Sequence, residues 1–121
     1  MSVQSVISQV RRAYTERTRK LDFLAQESVG TKDLPAGLRA IGRYNEFVPS
    51  RVSEAISQTD PGARTFIGRE GSVVLYIYTA KEAAMIQALK GVEADEINIV
   101  KDVWHDTNIR FKRPMIRAWW D

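Results

Sequence analysis

The spacing of the apolar residues changes at Asp60-Pro61-Gly62, near the middle of the chain. Before this turn signal, apolar residues mostly recur every three or four positions, which is the spacing of one helical face. After it, Val73, Leu75 and Ile77 alternate with their neighbours, which is the spacing of a β-strand. Because helical and strand patterns are largely separated along the chain, we expect an α+β domain with helices packed against a sheet.

Three helical segments are predicted before the turn signal. The first begins at Ser2 and continues to about Gln26, so residues 1–28 are expected to form a long amphipathic helix. Lys32–Pro35 opens a second helical segment. A third, short helix restarts at Pro49, because proline disfavours a helical conformation at the residue before it.

The segment after the turn signal begins with a predicted β-hairpin. Its strands are Ala63–Ile67 and Ser72–Tyr78, and Gly68-Arg69-Glu70-Gly71 is the connection between them. Thr79 is then a candidate N-cap, and Glu82 three residues later completes a capping box. The sequence therefore predicts a helix directly after the hairpin.

Two further strands are predicted near the carboxyl end, at Ile97–Val103 and Asn108–Lys112. Pro114 breaks the second of them, which leaves residues 115–121 as a C-terminal tail beyond a core at 33–114. The predicted order is α-α-β-β-α-β-β, with the helices on one face of a three- to four-stranded sheet. A chain of 121 residues has the usual length of a single domain.

The sequence has no cysteine, which excludes disulfides, thiolate metal sites and cysteine nucleophiles and fits a reducing compartment. The first ten residues lack the continuous apolar core of a signal peptide. No apolar run approaches the roughly 20 residues that a membrane-spanning helix needs. We therefore expect a soluble cytoplasmic protein without a membrane partner.

Positive charge is concentrated in two segments, although the net charge is only +3. Acidic residues between positions 93 and 106 separate the two. The first segment is either a solvated helix or a surface that follows nucleic-acid phosphates. The cations are Arg11, Arg12, Arg17, Arg19 and Lys20 in the first segment, and Arg110, Lys112, Arg113 and Arg117 in the second.

Tyr76 and Tyr78 lie on the face of their predicted strand opposite the aliphatic residues. Packed under a neighbouring element, they are ordinary sheet residues. On an open face near Arg110 and Lys112, they could stack on bases while the cations meet phosphate. The sequence leaves both alternatives open.

Trp119 and Trp120 are unusual in a predicted tail, because large aromatic side chains are seldom left in solvent. They either dock on the core of the domain or act with Arg117 as anchors for a partner pocket, where tryptophan is enriched.

The sequence contains no motif that supports catalysis. His105 is the only histidine, and although Asp102 and Asp106 flank it, no second ligand cluster accompanies it. A nucleophile motif, a Walker-type phosphate loop and a dinucleotide fingerprint are also missing. We expect a non-enzymatic protein with no catalytic residue, no metal site, no cofactor and no small-molecule substrate.

Four short segments between residues 44 and 114 resemble parts of a known family. They are Tyr44–Pro49, Arg69–Leu75, Thr79–Ala84 and Ile109–Pro114. Together they resemble the N-terminal domain of the DciA family, bacterial loaders or operators of the replicative helicase. The resemblance implies a KH-like fold, similar also to the N-terminal domain of the initiator DnaA, and contacts with single-stranded DNA and the helicase.

Two hypotheses for function result. The first is a binding module of DNA replication or nucleic-acid handling, which contacts single-stranded DNA through Tyr76, Tyr78, Arg110, Lys112 and Arg113 together with the basic first helix. The second is a protein-binding adaptor or inhibitor of phage or plasmid type that does not bind nucleic acid, anchored by Trp119 and Trp120.

Overall fold

The computed structural model describes residues 3–15, 22–101 and 114–121, which form an α+β structure. The α+β class predicted from the change in apolar spacing is confirmed. The helices are α1 (Val3–Thr15), α2 (Leu34–Ile41), α3 (Pro49–Thr59) and α4 (Glu82–Gly91). The strands are β1 (Phe23–Leu24), β2 (Val29–Gly30), β3 (Arg64–Glu70), β4 (Ser72–Tyr78), β5 (Glu96–Val100) and β6 (Met115–Trp120).

The six strands form one sheet in the order β1-β3-β4-β6-β5, and β2 pairs with β3 beyond the end of β1. Every pairing between these strands is antiparallel. The last strand in the sequence, β6, therefore lies between β4 and β5. Because β4 and β5 are both antiparallel to β6, they are parallel to each other, and α4 makes the longer crossover connection that parallel strands require.

The β3–β4 hairpin turns at Gly71, whose φ of 72° lies in the left-handed region that glycine tolerates. The Gly71 N–H donates to Oδ1 of Asp22 at 2.9 Å. Gly68, expected in the connection, instead lies within β3. A Cβ atom there would lie 2.7 Å from the carbonyl oxygen of Phe23, so glycine at this position allows β1 to approach β3.

All four helices pack on one face of the sheet. From each helix, apolar side chains enter a single buried cluster, together with alternate side chains of β3, β4 and β6. Helix residues in this cluster include Val10, Leu38, Val52 and Met85, and strand residues include Ile67, Leu75, Ile77 and Ile116. Burial of apolar surface between the helices and one side of the sheet is the main stabilising contribution to the fold.

The prediction of a tail at residues 115–121 is wrong, because β6 is an interior strand of the sheet. Ile116, Ala118 and Trp120 alternate toward the helices and have no exposed surface. The Trp120 ring meets Phe47 edge to face at 5.1 Å between centroids, and its Nε1 donates to the Val92 carbonyl at 3.0 Å. Since both faces of β6 are covered, its sequence lacks the polar alternation that would have marked a strand.

The long helix predicted at residues 1–28 is also wrong, because Phe23–Leu24 forms β1 and the helix is described only over Val3–Thr15. Arg69 of β3 connects α1 to the sheet: its guanidinium donates to the Ala13 carbonyl at 2.9 Å and lies 5.3 Å from the centroid of the Tyr14 ring. This contact spans 56 residues of sequence, so local helical spacing could not show it.

Two smaller differences concern the start of α4 and the number of strands. Thr79 does not cap α4, because its hydroxyl donates to Asp60 and accepts from the N–H of Lys81. The sheet has six strands and not the three or four expected. The predicted strand at Asn108–Lys112 lies outside the described residues.

We predict that Trp120→Ala lowers the free energy of unfolding by about 3–5 kcal/mol, because it removes a fully buried ring from the core. Trp119→Ala is the matched control, since Trp119 is only half-buried, and we expect a smaller loss. Urea unfolding followed by far-ultraviolet circular dichroism measures both. Equal losses in the two variants would contradict the placement of Trp120 in the core.

Candidate functional site

Several residues singled out in the sequence lie outside the described residues. They are Arg17, Arg19 and Lys20 after α1, and His105, Arg110, Lys112 and Arg113 between β5 and β6. Of the remaining candidates, Trp120 is buried in the helix-side core, and the others lie on two surfaces, the sheet face away from the helices and the outer side of α1.

Tyr76 does not form an open stacking platform, because only 3% of it is exposed. Its hydroxyl donates to the carboxylate of Glu70. Burial, together with the neighbouring Glu70, raises the pKa of Tyr76, because both disfavour a phenolate. Tyr78 is half-buried and packs against the same small apolar cluster on this face. The expectation that bases stack on Tyr76 is therefore wrong for this structure.

Arg117 and Trp119 lie on the same sheet face as the tyrosines. In the β4–β6 register, Arg117 is opposite Tyr76 and Trp119 is opposite Val74. The guanidinium of Arg117 donates through Nε and Nη2 to Oε1 of Glu70, at 3.0 and 2.8 Å. Two candidates that are far apart in sequence, Tyr76 and Arg117, thus meet at one carboxylate.

Glu70 is the centre of this network, and sequence reasoning missed it because it is a single polar residue near a turn. Its carboxylate accepts from Tyr76 and Arg117, while its backbone carbonyl accepts from Nε1 of Trp119 at 2.8 Å. Arg117 also reaches Glu96 on β5, at 3.0 Å. Burial would lower the pKa of Arg117, but its hydrogen bonds to the two glutamates outweigh burial and raise it.

The proposed partner anchors are consequently used inside the domain. Trp120 is fully buried in the helix-side core, so it cannot contact a partner. Trp119 is half-buried with its indole N–H already bonded, and Arg117 is paired with two carboxylates. These contacts remove the observation on which the adaptor hypothesis rested.

The outer surface of α1 and α2 has a different character. Arg11 and Arg12 are exposed on α1, as are Arg39 near the end of α2 and Arg43 just after it. The residues of α1 and those from 34 to 43 include no aspartate or glutamate. The charge pattern of the sequence marked Arg11 and Arg12 as part of the first cation segment but did not mark Arg39 and Arg43, because an isolated pair of cations four residues apart is common on helices.

Arg11 and Arg39 come together in a groove between α1 and α2. The groove has a volume of about 400 Å³ and is lined by Gln4, Ile7, Arg11, Ala36, Arg39 and Ala40. Two guanidinium groups and one amide therefore border a shallow depression whose floor is built from small and aliphatic side chains. We refer to this depression as the α1–α2 groove; Arg12 follows Arg11 on α1, and Arg43 follows α2 in the sequence.

The described part of the chain that leads from α4 into β5 carries the opposite charge. Residues 82–96 include four carboxylates, Glu82, Glu93, Asp95 and Glu96, against the single cation Lys90. The basic helices and this acidic segment make the charge distribution polar, although the net charge of the chain is small.

A second groove lies at the β3 edge of the sheet, with a volume of about 370 Å³. Its cation, Arg64, donates to the hydroxyl and to the carbonyl of Ser28 at 3.1 and 2.9 Å, so its charge is held against the β1–β2 loop.

Within residues 3–15, 22–101 and 114–121, no three metal-ligating side chains are grouped. The helices in those ranges also lack the length and apolar character needed to cross a membrane.

Comparisons with protein-family models, with curated proteins and with solved structures found no match to this chain.

We predict that Glu70→Ala lowers the free energy of unfolding by about 2 kcal/mol, because it removes the acceptor of the Tyr76 hydroxyl and of Nε and Nη2 of Arg117 on a mostly buried part of the sheet face. Glu96→Ala is the matched control, because it removes the other carboxylate of Arg117. The Glu96 side chain is 59% exposed, so we expect a loss of less than about 1 kcal/mol. Chemical denaturation compares the two, and a larger loss for Glu96→Ala would contradict the network.

Proposed function

We propose that this chain is a non-enzymatic nucleic-acid-binding module that contacts the phosphate backbone of single-stranded DNA through the α1–α2 groove. The observation that supports the proposal is the set of four exposed arginines on and beside two helices that carry no carboxylate. A surface of this composition favours a polyanion over a protein partner of mixed charge.

The type of cation agrees with a phosphate ligand. All four groups are guanidiniums, which donate two parallel hydrogen bonds to a phosphate and are less strongly hydrated than ammonium groups. Arg11 and Arg39 face one groove from two helices, so a single backbone segment could contact both of them. The amide of Gln4 in the same groove offers a further donor to a phosphate or sugar oxygen.

The proposed binding is electrostatic and not based on stacking. Tyr76, the sheet tyrosine that is almost completely buried, is tied to Glu70 and cannot stack on a base. Phosphate contacts position a nucleic acid but carry no sequence information. We therefore expect weak sequence preference and a strong dependence on salt.

The acidic segment at residues 82–96 limits the directions from which a nucleic-acid strand can approach the protein. A polyanion is repelled from α4 and β5 and attracted to α1 and α2, so the uneven charge distribution orients the approach of the nucleic acid.

Single-stranded DNA is chosen as the ligand because of the resemblance of the sequence to the DciA family. A KH-like fold, a contact with the replicative helicase and a role in replication stay predictions of that resemblance.

We predict that the double variant Arg11→Gln, Arg39→Gln binds a single-stranded oligonucleotide at least about ten-fold more weakly than the unaltered chain at low salt. If each arginine contacts one phosphate, the slope of log K against log salt becomes shallower by about 1.4, because each contact on a single strand contributes about 0.7. Fluorescence anisotropy with a labelled oligonucleotide, repeated over a range of salt concentrations, measures both quantities.

The matched control is Lys81→Gln, Lys90→Gln, which removes the same charge from exposed positions at α4. This control should bind nearly as well as the unaltered chain. If the two double variants bind equally well, or if the unaltered chain does not bind at low salt, the proposal is wrong. Tighter binding to duplex than to single-stranded DNA would contradict the choice of ligand.

A further inference from the structure

The two edges of the sheet differ in how much strand they present. At the β3 edge, β1 and β2 are only two residues long each, and such short edge strands give little template for pairing. At the other edge, β5 presents five residues and pairs with β6 alone among the described strands. An extended edge of this kind can accept another strand.

The side chains of β5 do not block such pairing. Ile99 is 44% exposed, and it is the exposed large hydrophobic residue of the described part of the chain. Ile97, two positions earlier and on the same face, is partly buried against the helix-side core. A single exposed apolar side chain is common on protein surfaces, but beside an extended edge it offers apolar contact to a strand that pairs there.

The order of charges along the segment around β5 indicates which strand could pair with it. The segment Asp95–Lys101 begins with two carboxylates and ends with a lysine, and both Asp95 and Lys101 are exposed. In an antiparallel arrangement the beginning of one strand lies beside the end of the other. The segment is therefore complementary in charge to a second copy of itself.

We propose that β5 pairs antiparallel with β5 of a second copy of this chain, and that the symmetric dimer is centred on Asn98. In this register, Ile97 lies opposite Ile99 of the second copy, and Asp95 lies opposite Lys101 of the second copy. Each pair occurs twice because the arrangement has two-fold symmetry. Two apolar pairs and two ion pairs thus form around one contact between amide side chains.

Other registers lose these pairs. Because successive side chains alternate between faces, the strands can slide only by two residues if Ile97 and Ile99 stay on the helix side. Centring on Ile99 places Ile97 opposite a lysine, and centring on Ile97 places Ile99 opposite Asp95. Opposite charges across a strand pair stabilise the pairing, so the register centred on Asn98 is preferred.

The proposed pairing of β5 with β5 forms a dimer and no larger assembly. An isologous contact uses the same surface on both partners, and each chain has one β5. The short strands at the β3 edge do not repeat its length or its charge pattern. The expected assembly is a continuous sheet across two chains and not an open fibre.

The first test is a charge exchange measured by sedimentation equilibrium. Lys101→Glu brings a second carboxylate opposite Asp95, and Asp95→Lys brings a second ammonium group opposite Lys101. Because like charges then face each other, each variant alone should dimerise at least about ten-fold more weakly than the unaltered chain. An equimolar mixture of the two variants restores both opposite-charge pairs and should dimerise as the unaltered chain does.

The control for the charge exchange is Lys90→Glu on the exposed side of α4, which should leave dimerisation unchanged. A mixture that dimerises no better than the separate variants would contradict the pairing of position 95 with position 101.

The second test reads the register directly and does not depend on charge. The chain has no cysteine, so Asn98→Cys introduces a single thiol that the proposed symmetry places opposite its own copy. Mild oxidation should give a disulfide-linked dimer much faster than it does for Gln87→Cys, an exposed control on α4. An unaltered chain that stays monomeric at millimolar concentration overturns the proposal, and so does equal cross-linking of the two cysteine variants.

Discussion

The antiparallel pairing of β6 with β4 on one side and β5 on the other holds the sheet together. This strand comes last in the sequence, yet it closes the gap that the crossover through α4 leaves between two parallel strands. Its helix-side residues, Ile116, Ala118 and Trp120, complete the core, and its other side brings Arg117 to Glu70. The placement of β6 therefore decides both the main core and the polar network, and among the described strands it leaves β5 at the edge of the sheet.

The two faces of the sheet contribute to stability in different ways. The helix side buries a continuous apolar cluster, whereas the other side combines a smaller apolar cluster with a network of charged and aromatic groups around Glu70. A network of this kind is stabilising only while each member keeps its partners, because an unpaired charge or hydroxyl in a low-dielectric place is costly. Tyr76 and Arg117 serve this internal role, whereas the proposed contact with DNA rests on the exposed arginines of α1 and α2.

The two proposals concern separate surfaces and opposite charges. The α1–α2 groove is basic and is directed at a polyanion, whereas the β5 edge combines an acidic start with a basic end and is directed at a second copy of the chain. Neither depends on the other. If both proposals are correct, one dimer carries two basic grooves. A DNA strand long enough to reach the two grooves would then bind more tightly than either groove alone allows.

Spacing between near neighbours in the sequence was enough to predict the α+β class, the helices α2 to α4 and the β3–β4 hairpin. It also marked Arg11 and Arg12 as cations on a helix. Three features became visible only in the folded chain. Phe23–Leu24 forms a strand and not part of the first helix, Glu70 accepts hydrogen bonds from both Tyr76 and Arg117, and Trp120 lies in the core. They could not be predicted because they depend on strand pairs that are distant in sequence. The pattern of a strand covered on both faces, such as β6, does not specify which strands it pairs with.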